Sequence, residues 1–213
     1  MNKKQQLTAI TQILKTKFPN PQCALIHKNP WELLVATILS AQCTDKRVNM
    51  VTPQLFAKLP DPESMRQAPI EEIEELVKST GFYKNKAKNL KACAEKVVIN
   101  YNNKLPQTLE ELVKLPGVGR KTASVLLGTA FNKSEGIVVD THVSRLSQRM
   151  GFTLESDAVK IEKDLMKLVP KSERIIFSHL LILHGRDHCA ARKPKCEVCE
   201  LNEICPKLPY KKP

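Results

Sequence analysis

Cys189, Cys196, Cys199 and Cys205 follow the spacing C-x6-C-x2-C-x5-C, which packs four soft ligands into a short, proline-containing stretch. Such a cluster reads most simply as a metal site, because thiolates select zinc or an iron–sulfur cluster. A structural zinc usually draws its ligands as two close pairs. Here only Cys196 and Cys199 form one, so the spacing leans toward iron–sulfur. Disulfides are the remaining alternative, opposed by an odd count of seven cysteines and by the lack of a secretory start.

A second chemical feature is LPGVGRKTA at residues 115–123, between a short capped helix and an apolar helical run. Gly117 and Gly119 bracket Val118 and permit positive φ and close approach of another backbone. The following helix starts at Arg120, Lys121 and Thr122 with its N–H groups and positive dipole end outward, which makes a phosphate seat. Gripping through main-chain N–H groups holds DNA without reading its sequence. A bare GxG would instead be an ordinary tight turn, and the flanking Leu-Pro and Arg-Lys make this one more specific.

Lys121 lies beside Arg120 and against the helix dipole, and both penalise the ammonium relative to the free amine. A free amine attacks a carbonyl-like carbon to form a Schiff base; a plain phosphate contact is the other reading. Asp140 precedes Thr141-His142-Val143 at the position of a helix N-cap. A carboxylate pinned there also suits stabilisation of a cationic sugar transition state and the proton transfers of base release. His142, His179 and His184 sit in apolar helical patterns and are assigned to packing.

Helices must position these groups. Asn29-Pro30-Trp31-Glu32 supplies an N-cap, a first-position proline and a back-reaching Glu ahead of LLVATIL, and predicts a deeply buried helix. Thr108 and Glu111 predict a second capping box. Leu7, Ile10, Ile13 and Leu14 mark an amphipathic N-terminal helix, and helical periodicity recurs near residues 70–79, 84–99, 140–150, 157–169 and 172–184. About ten short helices are expected. Ile137-Val138-Val139 has no partner of similar pattern and reads as an extended linker, so the fold class is all-α. A domain change is expected near residue 135, and Lys207–Pro213 reads as a frayed tail.

Lys and Arg number 34 against 22 Asp and Glu, a net charge of +12 that suits a polyanionic partner, nucleic acid before acidic small molecules. No stretch approaches the roughly 20 consecutive apolar residues of a membrane span. The expectation is a soluble, cytoplasmic protein with no membrane partner.

LPGVGRKTA, VDTHV and the four-cysteine signature, in this order, together resemble the endonuclease III family of DNA glycosylase/AP lyases. NPWELLVATILSAQCTD at 29–45, GFYKNKA at 81–87 and LILHGR before the cluster extend the resemblance over nearly the whole chain. It implies a two-lobed helix-hairpin-helix DNA glycosylase fold: a six-helix barrel domain at 22–135, with the hairpin near 108–130, and an iron–sulfur domain of 1–21 plus 136–213. It also implies a 4Fe-4S cluster on Cys189, Cys196, Cys199 and Cys205, with Lys121 and Asp140 catalytic. Gly117, Val118, Gly119, Arg120 and Thr122 would hold the DNA backbone, and Gln42 and Phe82 would fill the space left by a flipped nucleotide. Relatives commonly carry Leu where Phe82 stands. The implied reaction, in a monomer, is removal of damaged pyrimidines from duplex DNA followed by a 3′ nick at the abasic site by β-elimination. Cys23, Cys43 and Cys93 are expected to act as small buried hydrophobes in apolar helices.

Overall fold

The computed structural model describes residues 1–133 and 136–211. Among them are eleven α-helices, three short 3-10 turns and no strand, so the fold is all-α. The chain divides into two compact units, Cys23–Lys133 and Met1–Gln22 with Ser134–Pro213. The domain change expected near residue 135 falls on residues 134 and 135, outside the described residues.

In the unit Cys23–Lys133, α2 (Pro30–Leu39) is the hub, packed on α3 (Asp45–Lys58), α6 (Tyr83–Tyr101) and α8 (Arg120–Phe131). Leu33, Leu34, Val35, Ala36 and Leu39 are fully buried, which is why LLVATIL shows no polar face. Asn29 caps α2 by accepting from the Glu32 N–H at 2.9 Å. The Glu32 carboxylate reaches back one residue further than expected, accepting from the Lys28 N–H at 2.7 Å. α4 (Pro62–Gln67) and α5 (Ile70–Val77) pack against α6, and the single turn α7 (Leu109–Leu112) packs on α8. Thr108 caps α7, but the Glu111 carboxylate accepts from the Thr108 hydroxyl at 2.9 Å, so the expected box forms in a side-chain variant.

The other unit joins α1 (Lys3–Lys17) to α9 (Thr141–Arg149), α10 (Ala158–Leu168) and α11 (Arg174–Asp187) around Ile10, Leu14, Leu146, Leu165, Phe177 and Leu181. The Gln6 amide donates to the carbonyls of Met150 (3.2 Å) and Ile204 (3.0 Å), fastening the N-terminal helix to the C-terminal chain. Residues 137–139 carry no regular structure, as expected of a linker.

The C-terminal chain is not frayed through residue 211. Leu208 N–H donates to the Arg149 carbonyl (3.0 Å), Lys211 N–H donates to Gln148 Oε1 (2.8 Å), and the Tyr210 ring lies 4.9 Å from the Arg149 guanidinium. Partners on α9, remote in sequence, overrule the basic, proline-rich composition. Among the cysteines outside the signature only Cys93 is a buried helical residue, its thiol pushed up to about 12 by burial. Cys23 and Cys43 are instead half-buried in loops, Cys23 between α1 and α2 and Cys43 between α2 and α3. No helix among the described residues is long and apolar enough to cross a membrane.

Candidate nucleic-acid interface and metal centre

The hairpin is anchored from beneath by apolar residues. Leu112, Leu115 and Val118 are buried in the α2–α8 core, while Gly117, Gly119, Arg120 and Lys121 are exposed and Thr122 is half-exposed. Val118 is thus a packing pin that leaves only its backbone available for contact. Gly117 takes φ +76°, and a Cβ there would sit 3.0 Å from the Asn89 Cβ, so both backbone and space require glycine. Gly119 differs from expectation. It is the N-cap of α8 at φ −84°, a conformation open to any residue, and the space over it is empty. Its contribution is the absence of a side chain: no side-chain cap closes the first turn of α8. The outcome is an exposed helix N-terminus with Arg120, Lys121 and Thr122 on its first turn, able to receive an anion.

Gln42 and Phe82 lie in the same unit, each on a turn following a helical segment. Both take left-handed backbone angles, φ 52° for Gln42 and φ 50° for Phe82. For a bulky residue such an angle is strained, at a cost of order 1 kcal/mol or more, and strain of this kind gathers at functional positions. Phe82 also leaves 64% of its surface exposed. Lys86 is buried nearby, its ammonium donating to the carbonyls of Leu39 and Thr80, and burial lowers its pKa. Nothing in the chain's local pattern marks it, since a lysine within KNKAKNLK reads as a solvated charge.

Asp140 belongs to the other unit. Its Oδ1 accepts from the N–H groups of His142 and Val143, both at 2.8 Å, so it caps α9. Oδ2 takes no hydrogen bond among the described residues, and the side chain is half-exposed. One oxygen is fixed by the helix and the other is available. His142 Nδ1 lies 3.1 Å from Arg145 Nη2. The guanidinium can only donate, so Nδ1 accepts and the ring is neutral. Burial lowers the His142 pKa, Arg145 and Arg186 lower it further, and Asp140 opposes them.

The same unit gathers Cys189, Cys196, Cys199 and Cys205 around one cavity of about 70 Å³. None is in a disulfide. Met150, Pro194 and Leu201 give it apolar walls; Arg149, His184, Lys195 and Lys207 supply the cationic or polar ones, and no carboxylate lines it. Four sulfurs without an oxygen ligand fit a soft metal or an iron–sulfur cluster and not a hard cation. Donors already point at the sulfurs: Arg149 Nη1 lies 3.2 Å from Cys189 Sγ, and the Leu201 N–H lies 3.4 Å from Cys199 Sγ. Burial raises the thiols of Cys199 and Cys205, and the neighbouring cysteines add to it. A bound cationic centre would relieve both effects.

Arg145 and Arg149 were not legible as part of this site. Arg145 donates to the carbonyl of Cys189 (3.0 Å), and Arg149 to those of Ala190 (2.7 Å) and Ala191 (3.0 Å), fixing the start of the cysteine loop on α9. His184 also borders it, with Nε2 3.6 Å from Cys199 Sγ and a pKa driven down to about 4, first by burial. His184, His188 and Glu200 offer ligand atoms within 4.8 Å of one another. The Lys17 ammonium already sits there, 3.0 Å from His188 Nδ1 and 2.6 Å from Glu200 Oε1, and serves as the cation.

Residues 35–171 match the family described as HhH-GPD superfamily base excision DNA repair protein. Endonuclease III of Synechocystis sp. is 52% identical over 96% of this chain and 94% of its own length, and that of Bacillus subtilis is 47% identical over 88% and 86%. Among solved structures, a trapped endonuclease III–DNA covalent intermediate superposes with TM-score 0.91 at 44% identity, covering 97% of both chains. A thermostable thymine-DNA glycosylase matches at TM-score 0.82 and 26% identity, covering 93% of each. On the length and level of these matches, the chain belongs to the endonuclease III family, within the HhH-GPD superfamily of base excision DNA repair proteins.

Proposed function

We propose that this base excision repair glycosylase and AP lyase removes damaged pyrimidines from duplex DNA, with Lys121 as its nucleophile. The observation that carries the assignment is the setting of Lys121: exposed, in the first turn of a helix whose N-terminus no side chain caps. The covalent DNA intermediate of the relative at 44% identity supports it. A damaged base stacks and pairs poorly, so its extrusion from the helix is cheaper than that of a normal base. Lys121 Nζ forms a bond to the sugar C1′ as the C1′–N bond to the base breaks. The sugar ring opens to an imine, loss of a C2′ proton expels the 3′ phosphate oxygen, and water then releases the lysine. Asp140, with Oδ2 unengaged, stabilises positive charge on the sugar and assists the early proton transfers.

Phosphates are held by the main chain of Gly117, Val118 and Gly119 and by Arg120 and Thr122, and Gln42 and Phe82 occupy the space of the extruded nucleotide. The barrel domain corresponds to residues 22–135 and the iron–sulfur domain to 1–21 plus 136–213. Cys189, Cys196, Cys199 and Cys205 would hold a 4Fe-4S cluster, which when bound supplies a structural cross-link for the terminal loop. The proposed form is a monomer acting in the cytoplasm, where a reducing environment keeps the thiols available.

Borohydride trapping on a duplex carrying one thymine glycol tests the reading, with wild type compared to Lys121→Gln. An adduct that requires Lys121 is the expected result. An adduct of equal yield from Lys121→Gln would overturn the nucleophile assignment, and the absence of any adduct from wild type, with binding intact, would leave a glycosylase without a lysine intermediate.

A further inference from the structure

Lys86, in the first turn of α6, is only 5% exposed. Its ammonium donates to the carbonyls of Leu39 and Thr80, each at 2.8 Å. Leu39 is the last residue of α2, and Thr80 closes the 3-10 turn Lys78–Thr80. Terminal carbonyls of helical segments lack intrahelical donors and carry the negative end of the dipole, so one cation satisfies two ends at once. These are its only hydrogen bonds among the described residues, and no carboxylate bridges to it. Burying a cation without a counter-charge is costly, and an apolar side chain would fill the same space more cheaply. What the ammonium adds is the fixing of two backbones.

Those two backbones lead directly to the strained positions. Gln42 lies three residues beyond Leu39, and Phe82 two beyond Thr80, both left-handed and both exposed. We propose that Lys86 is a positioning residue that clamps the Gln42 turn to the Phe82 turn, so that the two side chains enter opened DNA as one preset pair. The inference rests on the assignment of Gln42 and Phe82 as the residues that occupy the vacated space. A preset pair costs no loop ordering at the moment of insertion, and small displacements of such groups cost disproportionately in rate.

The test is single-turnover base removal from a thymine glycol placed in a fully paired duplex and in an unpaired bubble, where no helix has to be filled. Lys86→Met should slow the duplex reaction by on the order of 10- to 10²-fold, while the bubble reaction stays near wild type. General loss of structure would depress both substrates together, and that outcome overturns the clamp. Should Lys86→Met not fold, Lys86→Gln, which retains a neutral donor but is too short for both carbonyls, carries the same comparison. The Gln42→Ala/Phe82→Ala protein should show the same duplex-selective loss, and adding Lys86→Met to it should lower the duplex-to-bubble ratio no further. A ratio unchanged in Gln42→Ala/Phe82→Ala overturns the insertion reading and the clamp with it. A ratio lowered there but unchanged in the Lys86 variant overturns the clamp alone.

Discussion

Two helix N-termini carry the proposed chemistry, and they are finished in opposite ways. α8 starts at Gly119 with no side-chain cap and open space above it, while α9 starts at Asp140, whose Oδ1 takes two of its own N–H groups at 2.8 Å. An unfinished terminus seeks an anion from outside, which suits a phosphate. A self-capped terminus satisfies its own donors and holds its carboxylate still, which suits a group that must meet developing positive charge at a set place. The same orphan donors are thus left open at one helix, where we propose phosphate binds, and satisfied at the other by the carboxylate we propose as catalytic, and one side chain decides which.

The largest expected effect breaks the comparison at α8. Lys121→Gln keeps the uncapped turn but removes the proposed nucleophile, so lesion DNA should bind with nearly wild-type affinity while the borohydride adduct disappears. Loss of binding in parallel with loss of adduct would return Lys121 to the status of a phosphate contact. Next in size is Asp140→Asn at α9. Asparagine caps a helix as well as aspartate, so the melting temperature should hold, yet base removal should slow by on the order of 10²- to 10⁴-fold. Asp140→Ala should lose the cap as well, at about 1 kcal/mol in a denaturant titration. If Asp140→Asn and Asp140→Ala lose stability equally, the Asp140 side chain is not acting as the cap of α9.

How much of this was legible in the chain depends on the range of the interaction. Caps and turns are settled within four residues, so Asn29, Thr108, Asp140 and the Gly117 turn could be read directly, and the all-α class followed from the helical period. Reciprocal details were less secure: Glu32 chose the Lys28 N–H and Glu111 the Thr108 hydroxyl, alternatives close in reach to the expected partner. Contacts between distant segments were invisible. Arg149 meets Cys189 Sγ across 40 residues, Lys86 meets Leu39 across 47, and Gln148 meets Lys211 across 63, none with any local periodicity to betray it. The left-handed angle at Gln42 and Phe82 was hidden for a related reason. Nothing in either side chain favours it, so no local signal in the sequence points to it.

A moderate effect is expected from Gly117→Ala. The left-handed φ of +76° costs a residue with a Cβ about 1–2 kcal/mol, and here the new atom would also press on Asn89 at 3.0 Å. The hairpin should loosen from α6, with a stability loss visible in chemical denaturation and a weaker grip on undamaged duplex. Equal loss of affinity for damaged and undamaged DNA would fit a backbone contact, since such contacts carry no sequence or lesion information.

The smallest and most discriminating change is Gly119→Asp, which rewrites the α8 terminus in the image of α9. Gly119 already has the extended conformation of an N-cap, φ −84° and ψ 172°, and a Cβ there would meet no neighbour within 4 Å, so the new side chain fits without strain. As a cap it should stabilise the protein by a few tenths of a kcal/mol, because glycine is only slightly inferior there. The same carboxylate would occupy the N–H groups proposed to hold phosphate and place a like charge beside it. Losing one such hydrogen bond, about 1 kcal/mol, plus the repulsion should weaken duplex binding about tenfold. Stability and affinity would thus move in opposite directions, a result that a purely structural hairpin cannot produce. A Gly119→Asp protein that is more stable and binds DNA as tightly as wild type would show that the open terminus of α8 does not hold phosphate.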